Sequence, residues 1–266
     1  MLIGYSPVGS EMLDALPQLR IVATQSVGTD MVDVAACAAR GVAVSNVPAS
    51  ATEEVATHAL AMALSLVRGL PHFDRSTKAG EWTFDAAVQP SRPSALTVGV
   101  LGLGRIGRRF AELSGPVFGD LIGYDPADFE TPGIERCELE EVLRRANVLS
   151  LHLPLLPETT RLLDARRLAL LPSGARIVNV ARGGLVDAGA LLAALDSGRV
   201  AGAALDVFES EPPAPDDPLL LHPSVLASPH VAFLSPESEV DYVLHQAENV
   251  IAMGRSGHPL SPVTQN

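Results

Sequence analysis

Thr97-Val98-Gly99-Val100-Leu101-Gly102-Leu103-Gly104-Arg105-Ile106-Gly107 is the stretch on which the reading of this chain turns. Five residues with strand character run into G-x-G-x-x-G, and Ile106 onwards has helical patterning. A second apolar run, Leu121-Ile122-Gly123-Tyr124, follows and meets Asp125, 18 residues after Gly107. A lone glycine triplet is a weak signal. Strand, glycines, helix and acid in this order form the complete dinucleotide fingerprint. Gly102 allows the tight turn, Gly104 lets backbone approach a pyrophosphate, and Gly107 lets the helix pack on the strand. The amides and positive dipole end of the helix N-terminus favour the phosphates. Asp125 suits ribose hydroxyls and repels a 2′-phosphate, so the expected cofactor is NAD rather than NADP.

Outward from this unit, short apolar runs alternate with helical patterns. Strands are expected at Leu2–Tyr5, Ile21–Ala23, Val42–Val44, Val148–Leu151, Arg176–Val180, Ala203–Val207 and Val225–Ala227. Helices are expected at Glu53–Arg68, Ile106–Leu113, Leu139–Arg145 and Ala188–Ser197. Several strands are unbroken apolar runs, as in parallel sheets buried on both faces. The fold class is therefore α/β, with a doubly wound parallel sheet. Gly69–Ser94, which holds Pro71, Pro90, Pro93 and the sole tryptophan Trp82, has no clean period and reads as an arm or linker.

Composition narrows the function. Of 266 residues, 47% are hydrophobic and 19% charged, enough for a packed core and unlike a disordered chain. The net charge of −12 repels phosphate backbones, so nucleic acid is not an expected partner. Cys37 and Cys137 suggest neither a disulfide framework nor a metal site, and suit a reducing, cytoplasmic setting. The Ala59–Val67 apolar stretch is far shorter than the roughly 20 residues a bilayer demands. No signal peptide is evident at the start.

Beyond the glycine turn, the motifs include Val27-Gly28-Thr29-Asp30, Asn46-Val47-Pro48, Tyr124-Asp125-Pro126 and Asn179-Val180-Ala181-Arg182-Gly183-Gly184. They continue with Leu205-Asp206-Val207-Phe208-Glu209-Ser210-Glu211-Pro212 and Ser228-Pro229-His230. Together they make the chain resemble the D-isomer-specific 2-hydroxyacid dehydrogenases, in the branch holding phosphoglycerate dehydrogenase and the C-terminal-binding-protein corepressors. The resemblance implies an NAD-dependent oxidoreductase acting on CH–OH groups, with Arg182, Glu211 and His230 as its catalytic set. Oxidising a 2-hydroxy acid removes a hydroxyl proton while a hydride leaves C2, and a neutral imidazole suits that proton transfer. A carboxylate on the far nitrogen, Glu211, fixes the tautomer and stabilises the imidazolium of His230. Arg182 is suited to the substrate carboxylate and reacting oxygen. By the same resemblance, Arg105 and Ile106 lie over the pyrophosphate and the Leu153–Thr159 segment, including Pro154, passes the adenosine. Val180 and Ala181 meet the nicotinamide ribose, Asp206 the nicotinamide amide, and Val27 and Gly28 offer amides near the substrate carboxylate.

The resemblance also implies two domains. Residues 52–235 form a Rossmann-type NAD-binding domain; residues 1–51 and 236–266 form a discontinuous, flavodoxin-like substrate domain. A homodimer through the Gly69–Ser94 arm is expected. Three departures stand out. Relatives carry a further strand and helix ahead of Leu2, which suggests a start assigned too far downstream. Thr24 replaces an arginine that holds the substrate carboxylate, a change costing about 1.5–3 kcal/mol of charge-assisted bonding. Phe233-Leu234 stands where the corepressors have Trp-Tyr. An NADH-responsive, corepressor-type binding protein and a truncated inactive product are the rival readings; the intact Arg182, Glu211 and His230 set argues against the first, and the DNA upstream of Met1 discriminates the second.

Overall fold

A computed structural model describes residues 1–4, 6–84, 89–128 and 130–264. Tyr5, expected to end the first strand, and residues 85–88 of the arm lie outside these. The chain divides into two compact units, Met1–Ala51 with Phe233–Asn266 and Thr52–Ala232. The C-terminal return thus starts at Phe233, three residues before the helix at Pro236.

The smaller unit contains β1 (Leu2–Ile3), α1 (Ser10–Ala15), β2 (Ile21–Thr24), α2 (Val34–Ala39) and β3 (Ala43–Ser45). The three strands are parallel in the order β1-β2-β3. Ile3, Val8, Leu13, Val22, Cys37 and Val44 share its core. The larger unit begins with α3 (Thr52–Arg68), α4 (Leu70–Lys78), β4 (Thr97–Leu101), α5 (Arg105–Ser114) and β5 (Asp120–Tyr124). It continues through β6 (Glu135–Arg136), α6 (Leu139–Arg145), β7 (Val148–Leu151), α7 (Ala165–Leu168) and β8 (Ala175–Asn179). It closes with α8 (Ala188–Asp196), β9 (Val200–Leu205), α9 (Pro218–Leu221) and β10 (Val225–Ala227). The smaller unit then regains the chain as α10 (Pro236–Ser256), a helix with a reciprocal Ser235/Ser238 capping box. Gln246 of α10 donates to the carbonyls of Ile3 and Ala23, and Asn249 to that of Asn46, which seats the helix on the small sheet.

The large sheet is parallel throughout, in the order β10-β9-β8-β7-β4-β5-β6. Strand order reverses between β4 and β7, and doubly wound sheets bind ligands at such a switch point, beyond the carboxyl ends of the strands. Leu101, Ile122, Leu149, Leu151, Ile177 and Leu205 belong to one buried cluster. On α3, Val55, Ala56, Ala59, Met62, Ala63 and Val67 are buried at helical spacing, the apolar stripe of an amphipathic helix. Among the described residues, no helix is long and apolar enough to cross a membrane.

Three expectations are corrected, and one strand appears where none was expected. β8 stops at Asn179, so Val180 lies beyond the strand, although it stays buried. β9 starts at Val200 and ends at Leu205, which leaves Asp206 and Val207 after the strand, where the chain turns. Leu70–Lys78 of the arm is helical, started by a left-handed Gly69 and a proline in its first turn, with no buried residue to give it a period. β6, two exposed residues paired with Ile122 and Gly123, extends the sheet by a strand that has no apolar signature.

Candidate active site

The turn after β4 is closed by contact. Gly102 has φ +96°, and a Cβ on it would lie 2.6 Å from the backbone carbon of His152. A Cβ on Gly107 would lie 1.9 Å from the carbonyl oxygen of Gly102, so α5 rests directly on the turn. Gly104 differs: a Cβ there would meet nothing within 4 Å. It is the N-cap of α5 and supplies no side-chain cap, so open space adjoins the positive end of the helix. Asp125 accepts from the Leu103 amide through Oδ2 (2.6 Å) and from the Ala127 amide through Oδ1 (2.9 Å). Each oxygen keeps a lone pair for a further donor. The turn therefore fits a dinucleotide, with pyrophosphate over Gly104 and ribose at Asp125.

His152 sits under this turn. Its Nε2 is 2.8 Å from the buried Ser150 hydroxyl, and its Nδ1 is buried without a hydrogen-bond partner among the described residues. A second ring proton would have no acceptor, and burial pulls the pKa down to about 3.

The second cluster lies at the ends of β8, β9 and β10. Asn179, the last residue of β8, clamps the next loop: its Nδ2 donates to the Arg182 carbonyl (2.9 Å) and its Oδ1 accepts from the Ala181 amide (3.1 Å). Gly183 then packs so tightly on the loop after β9 that a Cβ would fall 2.0 Å from the backbone carbon of Phe208. The Phe208 amide donates to Glu211 Oε1 (2.9 Å), and Glu211 Oε2 lies 2.6 Å from His230 Nδ1. A carboxylate only accepts, so Nδ1 carries the hydrogen that Glu211 receives. His230 has φ +53°, an unusual conformation for a non-glycine residue, and its amide donates to the Asp206 carbonyl (2.8 Å). The side chains of His230 and Glu211 are 34% and 37% exposed, open enough to meet a small molecule. A cavity of about 470 Å³ adjoins them, lined by Phe208, Pro212, Pro213, Leu220 and Pro229 among others and, among the described residues, by no lysine or arginine.

Comparison with known proteins gives the family. A family model described as "D-isomer specific 2-hydroxyacid dehydrogenase, NAD binding domain" matches residues 60–232. The chain belongs to the D-isomer-specific 2-hydroxyacid dehydrogenases. It is 37% identical over 268 residues to a glyoxylate reductase of Korarchaeum cryptofilum, covering 97% of this chain and 80% of that protein. It is 42% identical over 236 residues to a D-3-phosphoglycerate dehydrogenase of Mycobacterium tuberculosis, covering 87% of this chain but only 44% of that one. The solved D-lactate dehydrogenase of Aquifex aeolicus, complexed with NAD and lactic acid, superposes with a TM-score of 0.90 at 30% identity, covering 99% of this chain and 87% of that one. The protein is an NAD-dependent oxidoreductase of CH–OH groups.

Within this dehydrogenase the expected residues fare differently. Arg105 opens α5, exposed, with Ile106 half-buried beside it. Leu153 is buried in the core, so only its backbone can face a cofactor. Pro154 is exposed and its carbonyl accepts from the Thr159 hydroxyl (2.7 Å), which shapes that loop. Ala181 is half-buried. The Asp206 side chain is enclosed, and both of its oxygens accept from the 228–232 turn. Val27 and Gly28 lie in the smaller unit, where their carbonyls accept from the Asn46 side chain (2.7 Å) and the Ser26 hydroxyl (2.6 Å). Thr24 is buried, with its hydroxyl turned onto the Ser26 carbonyl. Phe233 stacks edge-on with Tyr242. The Glu135, Cys137 and Glu141 cluster is occupied by the Arg145 guanidinium, 2.7 Å from Glu135 and 3.0 Å from Glu141. The roles of Asn179 and His152 went unread, although Asn179 stands inside the N-V-A-R-G-G motif.

Proposed function

We propose that the chain interconverts 2-oxo acids and D-2-hydroxy acids, with His230 as acid/base, Glu211 as its orienting carboxylate and Arg182 as the ligand of the substrate carboxylate and carbonyl. The observation that carries this is the 2.6 Å contact between His230 Nδ1 and Glu211 Oε2 at the sheet's carboxyl edge. When bound, the reduced dinucleotide supplies a hydride to C2 of the substrate. His230 delivers the Nε2 proton to the 2-oxo oxygen, and Glu211 stabilises the imidazolium before transfer. In the reverse direction neutral His230 takes the hydroxyl proton at Nε2. Arg182 is always cationic, and its planar fork can hold a carboxylate by two parallel bonds while polarising the carbonyl. Asp125 favours NAD over NADP by repelling a 2′-phosphate.

The cavity beside His230 supports an uncharged substituent on C3, because beyond the catalytic pair its lining is mainly proline, leucine and phenylalanine, and the Asp206 and Glu211 carboxylates there disfavour a phosphate. NADH consumption with an aliphatic 2-oxo acid, glyoxylate and a phosphorylated 2-oxo acid tests this. The aliphatic acid should give the highest kcat/KM; preference for the phosphorylated acid would overturn the substrate assignment. Trp82 and Phe84, 88% and 96% exposed on the arm, support a homodimer contact there. The free thiols of Cys37 and Cys137 support a reducing, cytoplasmic setting.

A further inference from the structure

The turn that carries His230 is held from behind by a chain of polar side chains. Asp206, just past the end of β9, accepts from the Ser228 hydroxyl (2.5 Å) and the Val231 amide (3.0 Å) through Oδ1, and from the Ala232 amide (2.9 Å) through Oδ2. With the backbone bond from the His230 amide to the Asp206 carbonyl, one residue gathers the whole 228–232 turn. Behind Ser228 stands His58 of α3, its Nε2 3.1 Å from the Ser228 hydroxyl oxygen and 3.8 Å from Asp206 Oδ1. A hydroxyl has one hydrogen. Ser228 gives it to the Asp206 carboxylate, so towards His58 it only accepts, and His58 must carry a hydrogen on Nε2. The result is a directed relay, His58 N–H to Ser228 O–H to the Asp206 carboxylate, in which each step polarises the next. It joins α3 to a turn whose central residue holds the left-handed φ of +53°. Such a conformation persists in a non-glycine residue only when its surroundings over-determine it.

We propose that His58 and Ser228 are positioning residues for the reaction, which act through Asp206 to hold His230 in its working orientation. This rests on the reading of His230 as the acid/base. Neither residue need touch substrate or cofactor, so their loss should lower kcat and leave cofactor affinity alone. A displacement of about 1 Å in a catalytic group can cost about 100-fold in rate.

The experiment measures kcat, KM for a 2-oxo acid and the NADH dissociation constant in Ser228→Ala, Ser228→Thr, His58→Leu, His58→Gln and His230→Ala, with thermal unfolding of each. Ser228→Ala and His58→Leu should lower kcat by about 10- to 100-fold, with NADH affinity within twofold of the parent. Threonine restores the hydroxyl and glutamine an N–H donor, so both should recover most of the rate. If Ser228→Ala does not fold, the pair at the half-exposed His58 decides the question. Parental kcat in Ser228→Ala and His58→Leu, with His230→Ala inactive, overturns the relay and leaves the acid/base reading standing. Equal loss in the conservative and non-conservative variants, tracking a lowered melting temperature, overturns it as well. Activity retained in His230→Ala would instead overturn the acid/base reading.

Discussion

Acid should destabilise the larger unit through His152. The native site keeps this imidazole neutral, because among the described residues Nδ1 has no hydrogen-bond partner and Nε2 lies against the Ser150 hydroxyl. Its pKa is pulled down to about 3, against about 6.5 in an unfolded chain. At pH 7 and above both states are neutral and the group contributes almost nothing. As pH falls below about 6.5 the unfolded state takes up a proton that the folded state refuses, so stability falls by about 1.4 kcal/mol per unit until the folded pKa is reached. Between pH 7 and pH 5 the loss amounts to about 2 kcal/mol, and it hardly changes for any folded value below about 4. Other groups titrate over the same range, so the informative quantity is a difference. Urea unfolding of the parent and of His152→Gln, each at pH 7 and pH 5, isolates it. Glutamine can still bond Ser150 and does not titrate. The parent should lose about 2 kcal/mol more than the variant. A difference below about 0.5 kcal/mol would refute the reasoning and mean that a proton finds a partner under the turn.

Three further outcomes follow from the site. Gly107→Ala places a Cβ 1.9 Å from the Gly102 carbonyl oxygen, and both are backbone-bound, so the turn must open; NADH affinity measured by fluorescence should fall at least about 100-fold. Asp125→Ser removes the carboxylate that repels a 2′-phosphate and should raise the ratio of NADPH to NADH turnover by about tenfold or more, read as kcat/KM for each. Glu211→Gln keeps a hydrogen-bond acceptor at 2.6 Å but removes its charge; at this exposure the loss should be about 1.5–2 kcal/mol, about 10- to 30-fold in kcat. Unchanged values in steady-state assays would remove the corresponding residue from the account.

The sequence was most legible where burial and backbone pairing coincide. β4, β7 and β10 are read from their apolar runs with the observed bounds; β4 and β7 are central and almost wholly buried, whereas β10 is an edge strand buried only at Val225. The same signal overran at Val180 and Val207, which are buried after their strands have ended, and burial alone cannot say where pairing stops. β6 and α4 have no apolar pattern at all; one is defined by its partner strand and the other by a helix start at Gly69 and Pro71. At the site, the glycines and Asp125 were legible from residue type and spacing, whereas the Glu211–His230 pair came from the family resemblance; the structure sets that pair 2.6 Å apart. The turn-holding bonds of Asp206 were not legible, since only the folded turn shows which donors its oxygens meet. His58 lies 170 positions from Ser228 and nothing in its helical context separates it from an ordinary surface histidine.

The central claim is that His230 moves the proton in an NAD-linked reduction of a 2-oxo acid. Its most direct test is the loss of NADH absorbance with an aliphatic 2-oxo acid, in the parent and in His230→Ala, with NADH binding measured in both. The account predicts turnover in the parent, a loss of at least about 100-fold in the variant and equal NADH affinity. Equal turnover in the two, or NADH binding with no turnover of any 2-oxo acid by the parent, would contradict it.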